Sequence, residues 1–338
     1  MQNILDPAIL FFVFGVLAGL VKSNLEIPPQ ISRFLALYLL MALGLKGGFA
    51  LAQSGLTSQV ASSLGCAILM ALVVPALGYR VLKRFVAPFD ALAVAATYGS
   101  VSAVTFITAV QYLETHGLAF GGHMAAAMAL MESPAIIMAV VLANALRKKA
   151  EAPAMAMTGQ SVAALRLGGP PGGGTSLGKI LHESFTDGAQ LLLLGAMAVG
   201  IFSGDAGSAA MKPFAGDLFK GMLAFFLLDM GLMAARNIPQ VKGKSPWMLA
   251  YAVVGPMVHA SLALGLGVMA GLTAGDTSLL MVLAASASYI AVPAVLRYAV
   301  PEASPSLYFG MSLGITFPLN ILLGIPGYIT IAHAVVAP

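Results

Sequence analysis

With 338 residues, 59% of them hydrophobic and only 9% charged, the chain lacks the polar surface of a water-soluble domain, where about a quarter of residues are charged. Its formal net charge of +4 comes from basic residues scattered through short connections, which excludes a concentrated nucleic-acid footprint. A single cysteine, Cys66, excludes an internal disulfide and any cysteine-based metal site.

Apolar runs near or above membrane-spanning length recur from end to end, and ten spans are predicted. They fall at about residues 7–22, 33–52, 60–82, 89–112, 123–146, 184–203, 216–236, 247–271, 277–299 and 306–335. Alternating ten-residue strand patterns are missing, which counts against a barrel. Helices are therefore expected, because in lipid each segment must satisfy its own backbone polar groups.

Span one follows Asp6 without a basic preceding region, so it reads as a retained helix rather than a cleaved signal. It carries Gly15-x-x-x-Gly19, a weak helix-association motif. Span two holds Lys46 within Leu43-Gly44-Leu45-Lys46-Gly47-Gly48. Span four contains Tyr98-Gly99-Ser100-Val101-Ser102-Ala103-Val104-Thr105 across its middle, a cluster of hydroxyls and helix weakeners near the membrane midplane. Span five contains Glu132-Ser133-Pro134, where proline frees a carbonyl one turn earlier.

Residues 147–183 form the one long polar connection, with Gly168-Gly169-Pro170-Pro171-Gly172-Gly173-Gly174, and read as a basic, flexible linker. Span seven holds Asp229 and span eight His259. Lys46 and Asp229, near matched positions of the two halves, are expected to pair or to line one cavity. Span nine contains Ala285-Ser286-Ala287-Ser288-Tyr289-Ile290-Ala291-Val292-Pro293, and span ten Thr316-Phe317-Pro318 with Asn320.

Of the 17 Lys and Arg residues, all but Lys46, Lys212 and Lys220 lie in connections after odd-numbered spans. Those connections are predicted to be cytoplasmic, with both termini facing outward from a bacterial inner membrane. Four pairs of segments match between the halves in order: Asp6–Gly15 with Asp187–Gly195, Leu43–Gly48 with Met230–Ala235, Gly99–Ala103 with Ala285–Tyr289, and Glu132–Pro134 with Thr316–Pro318. Five spans per half invert the second copy. The predicted fold is an all-α integral membrane protein of ten transmembrane helices in a 5+5 inverted repeat with broken helices: residues 1–146, the cytoplasmic linker 147–183, and residues 184–338. Such repeats place a substrate site at the midplane between discontinuous helices.

At those breaks, helix N-termini present amides to an anion, while carbonyls and hydroxyls suit a hard cation. The bland reading is that small residues only let helices pack closely. No Walker lysine motif and no His-Glu-x-x-His occur, so ATP-driven transport and zinc hydrolysis have no support.

These motifs together, with Ser133-Pro134-Ala135, Ala143-Asn144 and Pro301-Glu302-Ala303-Ser304-Pro305-Ser306-Leu307-Tyr308, resemble the sodium-dependent bicarbonate transporter family across nearly all of the spans. The resemblance implies a core domain moving against a scaffold, a homotrimer, and sodium-coupled bicarbonate uptake without a further cofactor. In cyanobacterial members a PII-like signalling protein docks on the cytoplasmic side. On this reading Gly99, Ser100, Ser102, Thr105, Ser286, Ser288, Tyr289 and Thr316 line the substrate site, and Glu132, Ser133 and Asn320 hold sodium. Tyr289 stands where cyanobacterial members of the family carry an aspartate, which opens two alternatives: another small anion, or proton coupling. A third is a non-transporting membrane sensor that docks a soluble signalling protein.

Overall fold

The computed structural model describes residues 6–158, 188–241, 243 and 245–336, with the side chains of 148–158 left aside. The Gly/Pro-rich stretch of the predicted linker lies outside the described residues. Those described are helical, with no strand among them. In chain order the helices are α1 Pro7–Leu20, α2 Pro29–Ser54, α3 Ser58–Leu82, α4 Pro88–Gly99, α5 Ala103–Thr115 and α6 Met124–Thr158. Then come α7 Gly188–Met211, α8 Phe219–Asn237, α9 Pro246–Met269, α10 Ala274–Ala285, α11 Ala291–Ala299 and α12 Pro305–Val335. Local chemistry sets many starts: Asp6 caps α1 by accepting from the Ala8 N–H at 2.8 Å, Thr57 caps α3, and Pro opens α1, α2, α4, α9 and α12.

Each predicted span falls on helix, yet seven helical runs are long and apolar enough by themselves to cross a membrane. The difference has three sources. α1 is a short helix of 14 residues. Span nine divides into α10 and α11. Spans six and seven merge into one helical run, Gly188–Gln240, interrupted by Gly204 at φ 53° and a π-turn at Lys212–Asp217. α12 carries two further π-turns, Ser312–Thr316 and Asn320–Gly324, one on each side of Pro318, whose ring cannot donate to the helical ladder.

Glycine sets the closest packing. α1 lies along α8, with Gly15 against Gly231 and Gly19 against Ala235; α2 lies along α7, with Gly44 against Ala196 and Gly48 against Gly200. Numbers rise together in both pairs, so each pair is parallel. Contact at that range needs residues without bulk, the usual way helices associate where the hydrophobic effect between them is weak.

α4 and α10 occupy the interior. Residues 91–99 of α4 and 275–285 of α10 are all buried, and 94% of the best apolar window in Pro88–Thr115 is buried. α1, α3 and α9 instead expose wide apolar faces, among them Phe11, Phe14, Leu69, Leu72, Val254 and Met257. An apolar exterior around a partly polar interior suits a lipid surround.

Arg147 at the end of the membrane segment of α6 braces the α11–α12 connection. Its guanidinium contacts both oxygens of Glu302 at 2.7 and 2.8 Å and donates to the Ala299 carbonyl at 2.9 Å. Bidentate pairing with Arg147 holds the Glu302 carboxyl below the ordinary range. A lowered carboxylate pKa stabilises the fold above the unfolded value and that contribution is lost as pH falls through the folded one. Wild type should therefore lose stability between about pH 5 and pH 3 more steeply than Glu302→Gln, as read by thermal melting in detergent. Both partners are partly solvated, so the difference should be small.

Candidate functional site

The site begins with two interruptions. α4 ends at Gly99, and after Ser100 and Val101 the chain restarts as α5, capped by Ser102. α10 ends at Ala285, and after Ser286 to Ile290 the chain restarts as α11. Both breaks fall within the serine-rich runs singled out from sequence.

The two breaks touch. The Ser102 N–H donates to Ser286 Oγ at 3.0 Å, and Ser286 Oγ in turn donates to the Leu283 carbonyl at 2.8 Å. The Ser288 N–H donates to the Thr97 carbonyl at 2.8 Å. Ser102 Oγ accepts from the Thr105 N–H at 3.2 Å and the Thr105 hydroxyl at 2.9 Å, while Ser288 Oγ accepts from the Val292 N–H at 3.3 Å. Thus one serine of each run caps the helix that follows, and each break donates an amide to the other. The hydroxyls of Ser100, Thr97 and Ser133 are buried with no hydrogen-bond partner. Desolvated hydroxyls without partners carry a cost that a ligand or water would relieve.

Gly99 has a packing reason. The Pro75 ring of α3 occupies the space a Cβ would need, with its Cγ and Cδ at 2.5 and 2.7 Å from that position. Pro75 inside α3 therefore sets how closely the break approaches.

Tyr289 is buried at 5% exposure. Its hydroxyl donates to Met230 Sδ of α8 at 3.6 Å, and its ring meets Phe317 edge-on at 5.3 Å. Phe317 meets Phe12 of α1 at 5.6 Å. An aromatic series thus runs from the second break to the α1–α8 pair.

Not every predicted residue joins the breaks directly. Thr316 is bonded to the Tyr98 hydroxyl at 2.6 Å and donates to the Ala252 carbonyl of α9 at 2.7 Å. Asn320 donates to the Ala285 carbonyl, the last of α10, at 2.8 Å and accepts from the Tyr328 hydroxyl at 3.3 Å. It supports the end of α10, where carbonyls lack helical partners. Glu132 accepts from Gln190 of α7 at 2.7 Å. Among the described residues, no three His, Cys, Asp or Glu side chains converge as a metal cluster.

Lys46 and Asp229 do not pair. Lys46 bonds both oxygens of Glu114, and Asp229 accepts from the Ser32 hydroxyl. Matched sequence segments suggested their proximity, but Asp229 of α8 meets α2 at Ser32, near its start, and Lys46 lies about four turns further along α2. Sequence reasoning named Tyr98 within the span-four run without giving it a role, and missed Ser32 and Gln190. Gln190 carried a usable signal, being a polar side chain at the head of an otherwise apolar run; Ser32 carried none.

No curated protein matches the chain. Its apolar helices and interior breaks are those of a multi-pass membrane protein, and a family model covers residues 7–333. The chain belongs to the Na+-dependent bicarbonate transporter superfamily.

Proposed function

We propose that the protein is a sodium-coupled bicarbonate importer of the bacterial inner membrane, working by alternating access, with the anion and its coupling cation bound where the two helix breaks meet. The observation that carries this reading is the reciprocal contact of the breaks, Ser102 N–H to Ser286 and Ser288 N–H to Thr97, beside the unpartnered Ser100 hydroxyl. α5 and α11 begin there and offer positive dipole ends to an anion; α4 and α10 end there and offer carbonyls to a cation. α4 and α10 have 12 residues each, or about 18 Å of rise, against a hydrocarbon core of about 30 Å. Breaks at those distances from the surfaces lie near the midplane.

A 5+5 inverted repeat is supported by the glycine contacts. Shifting by 181 residues takes Gly15 to Ala196 and Gly19 to Gly200; shifting by 187 takes Gly44 to Gly231 and Gly48 to Ala235. The contacts Gly15–Gly231 and Gly19–Ala235 then become Ala196–Gly44 and Gly200–Gly48, which are the contacts of α2 with α7. Because both pairs are parallel while α1 and α2 oppose each other, α7 opposes α1. We assign α1, α2, α7 and α8 to a scaffold and the helices around the breaks to the moving core. Outward termini, a homotrimer and a PII-like cytoplasmic regulator belong to this proposal through the family.

Tyr289 favours the second reading, a different small anion or proton coupling, because a neutral hydroxyl stands beside the break in place of a carboxylate. Radiolabelled bicarbonate uptake into proteoliposomes decides between them. Uptake should rise at least tenfold with an inward sodium gradient. Equal bicarbonate uptake without sodium but with a proton gradient, or flux of another small anion from a substrate panel in place of bicarbonate, would establish the second reading; no flux of any anion under any gradient would favour the sensor.

A further inference from the structure

A cavity of about 310 Å³ lies apart from the breaks, between α2, α5 and the connection from α5 to α6. Lys46, Gln53, Glu114, Phe120, Gly121 and Ser208 help line it. Its far wall is held by the Gly121 N–H donating to Asp276 at 2.6 Å. Lys46 is the one cation in that lining. Its ammonium sits 3.0 and 2.9 Å from the two oxygens of Glu114, with the Phe219 ring at 4.2 Å on another side. Neither partner is sealed in: their side chains are 24% and 31% exposed.

We propose that this cavity is an entry subsite for a small planar oxyanion, which Lys46 takes up in exchange for the Glu114 carboxylate. The ammonium already holds a planar O–C–O edge through both oxygens, and bicarbonate, formate and acetate present the same edge. The volume admits such an anion with several waters, each needing about 30 Å³. Partial exposure lets the exchange occur without burying a charge alone. The pair also links α2 to α5, so replacing Glu114 by a diffusible anion removes a tie between them. Anion arrival and release of α5 from α2 are then one event. This inference rests on the transport reading above for its direction, but the anion site itself can be tested without transport.

The first readout is anion-dependent thermal stabilisation of the purified protein with sodium bicarbonate, formate or sulfate. Wild type and Glu114→Gln should be stabilised by the two planar anions at lower concentration than by sulfate, Glu114→Gln at the lowest. Lys46→Gln should lose that selectivity. The second readout is the KM of bicarbonate uptake, raised about tenfold in Lys46→Gln and lowered in Glu114→Gln, with kcat changed less. A cooperative melt of Lys46→Gln in the absence of added anion guards against misfolding. Unchanged selectivity or a wild-type KM in a cooperatively melting Lys46→Gln would make the pair a brace and overturn the subsite. Planar-anion selectivity that depends on Lys46 in a protein without bicarbonate flux would keep the subsite and reject the transported substrate.

Discussion

Replacing Ser286 by alanine should reduce bicarbonate uptake about fivefold to a hundredfold while leaving the folded protein recoverable. Among the described residues the Ser102 N–H donates to Ser286 Oγ, which also donates its hydrogen to the Leu283 carbonyl. Alanine leaves that N–H buried and unpaired, a cost of about 1–3 kcal/mol. Each 1.4 kcal/mol is tenfold in an equilibrium constant. The cost falls where α5 begins, so the first effect is on the angle between the breaks rather than on global packing. Glycine at the same position should be at least as damaging, since it adds backbone freedom. Cysteine keeps a weak acceptor and should recover part of the rate. The comparison uses initial uptake rates normalised to reconstituted protein. Equal rates for wild type and Ser286→Ala would remove the meeting of the breaks from the mechanism.

Much of this organisation was legible in the residues because periodicity and composition act locally. The apolar runs announced where helix lies though not how many helices there are, and Ser100–Ser102 and Ser286–Ser288 marked both breaks, since hydroxyl and glycine residues compete with helical hydrogen bonding where no water can help. What could not be read was partner choice. Lys46 finds Glu114 and Asp229 finds Ser32 across distances of 68 and 197 residues, and nothing in either local segment encodes those meetings. The same holds for Asn320, whose amide serves the last carbonyl of α10. Its polarity announced a role; only three-dimensional packing separates a helix-end support from an ion ligand. The merging of spans six and seven also escaped hydropathy, because Asp205, Ser208, Lys212 and Asp217 read as a polar connection, whereas helical turns continue through them past Gly204 and the π-turn at Lys212–Asp217.

The largest effect on stability should come from Gly231→Ala. A Cβ there would fall within the Phe12 carbonyl and lie 2.9 Å from the Val16 nitrogen and 3.0 Å from Gly15 Cα. All three neighbours are backbone, so no side chain can rotate away, and α1 must separate from α8. Overpacking of this kind costs about 1–3 kcal/mol, and separation also forfeits the contact at Gly19 and Ala235 one turn on. Gly44→Ala on α2 meets the Leu193 carbonyl, the Ala196 Cβ at 2.8 Å and the Met197 nitrogen at 3.2 Å. If the halves are related as proposed, the two substitutions strike equivalent joints and should lower the melting temperature in detergent by similar amounts. Gly195→Ala supplies the control: nothing lies within 4 Å of its added carbon, and alanine favours helix by up to about 1 kcal/mol, so that variant should melt at or above wild type. A Gly231→Ala protein as stable as Gly195→Ala would show that α1 and α8 are not held by close backbone contact. A large loss at Gly231 with none at Gly44 would keep that contact but break the symmetry on which the inverted repeat rests.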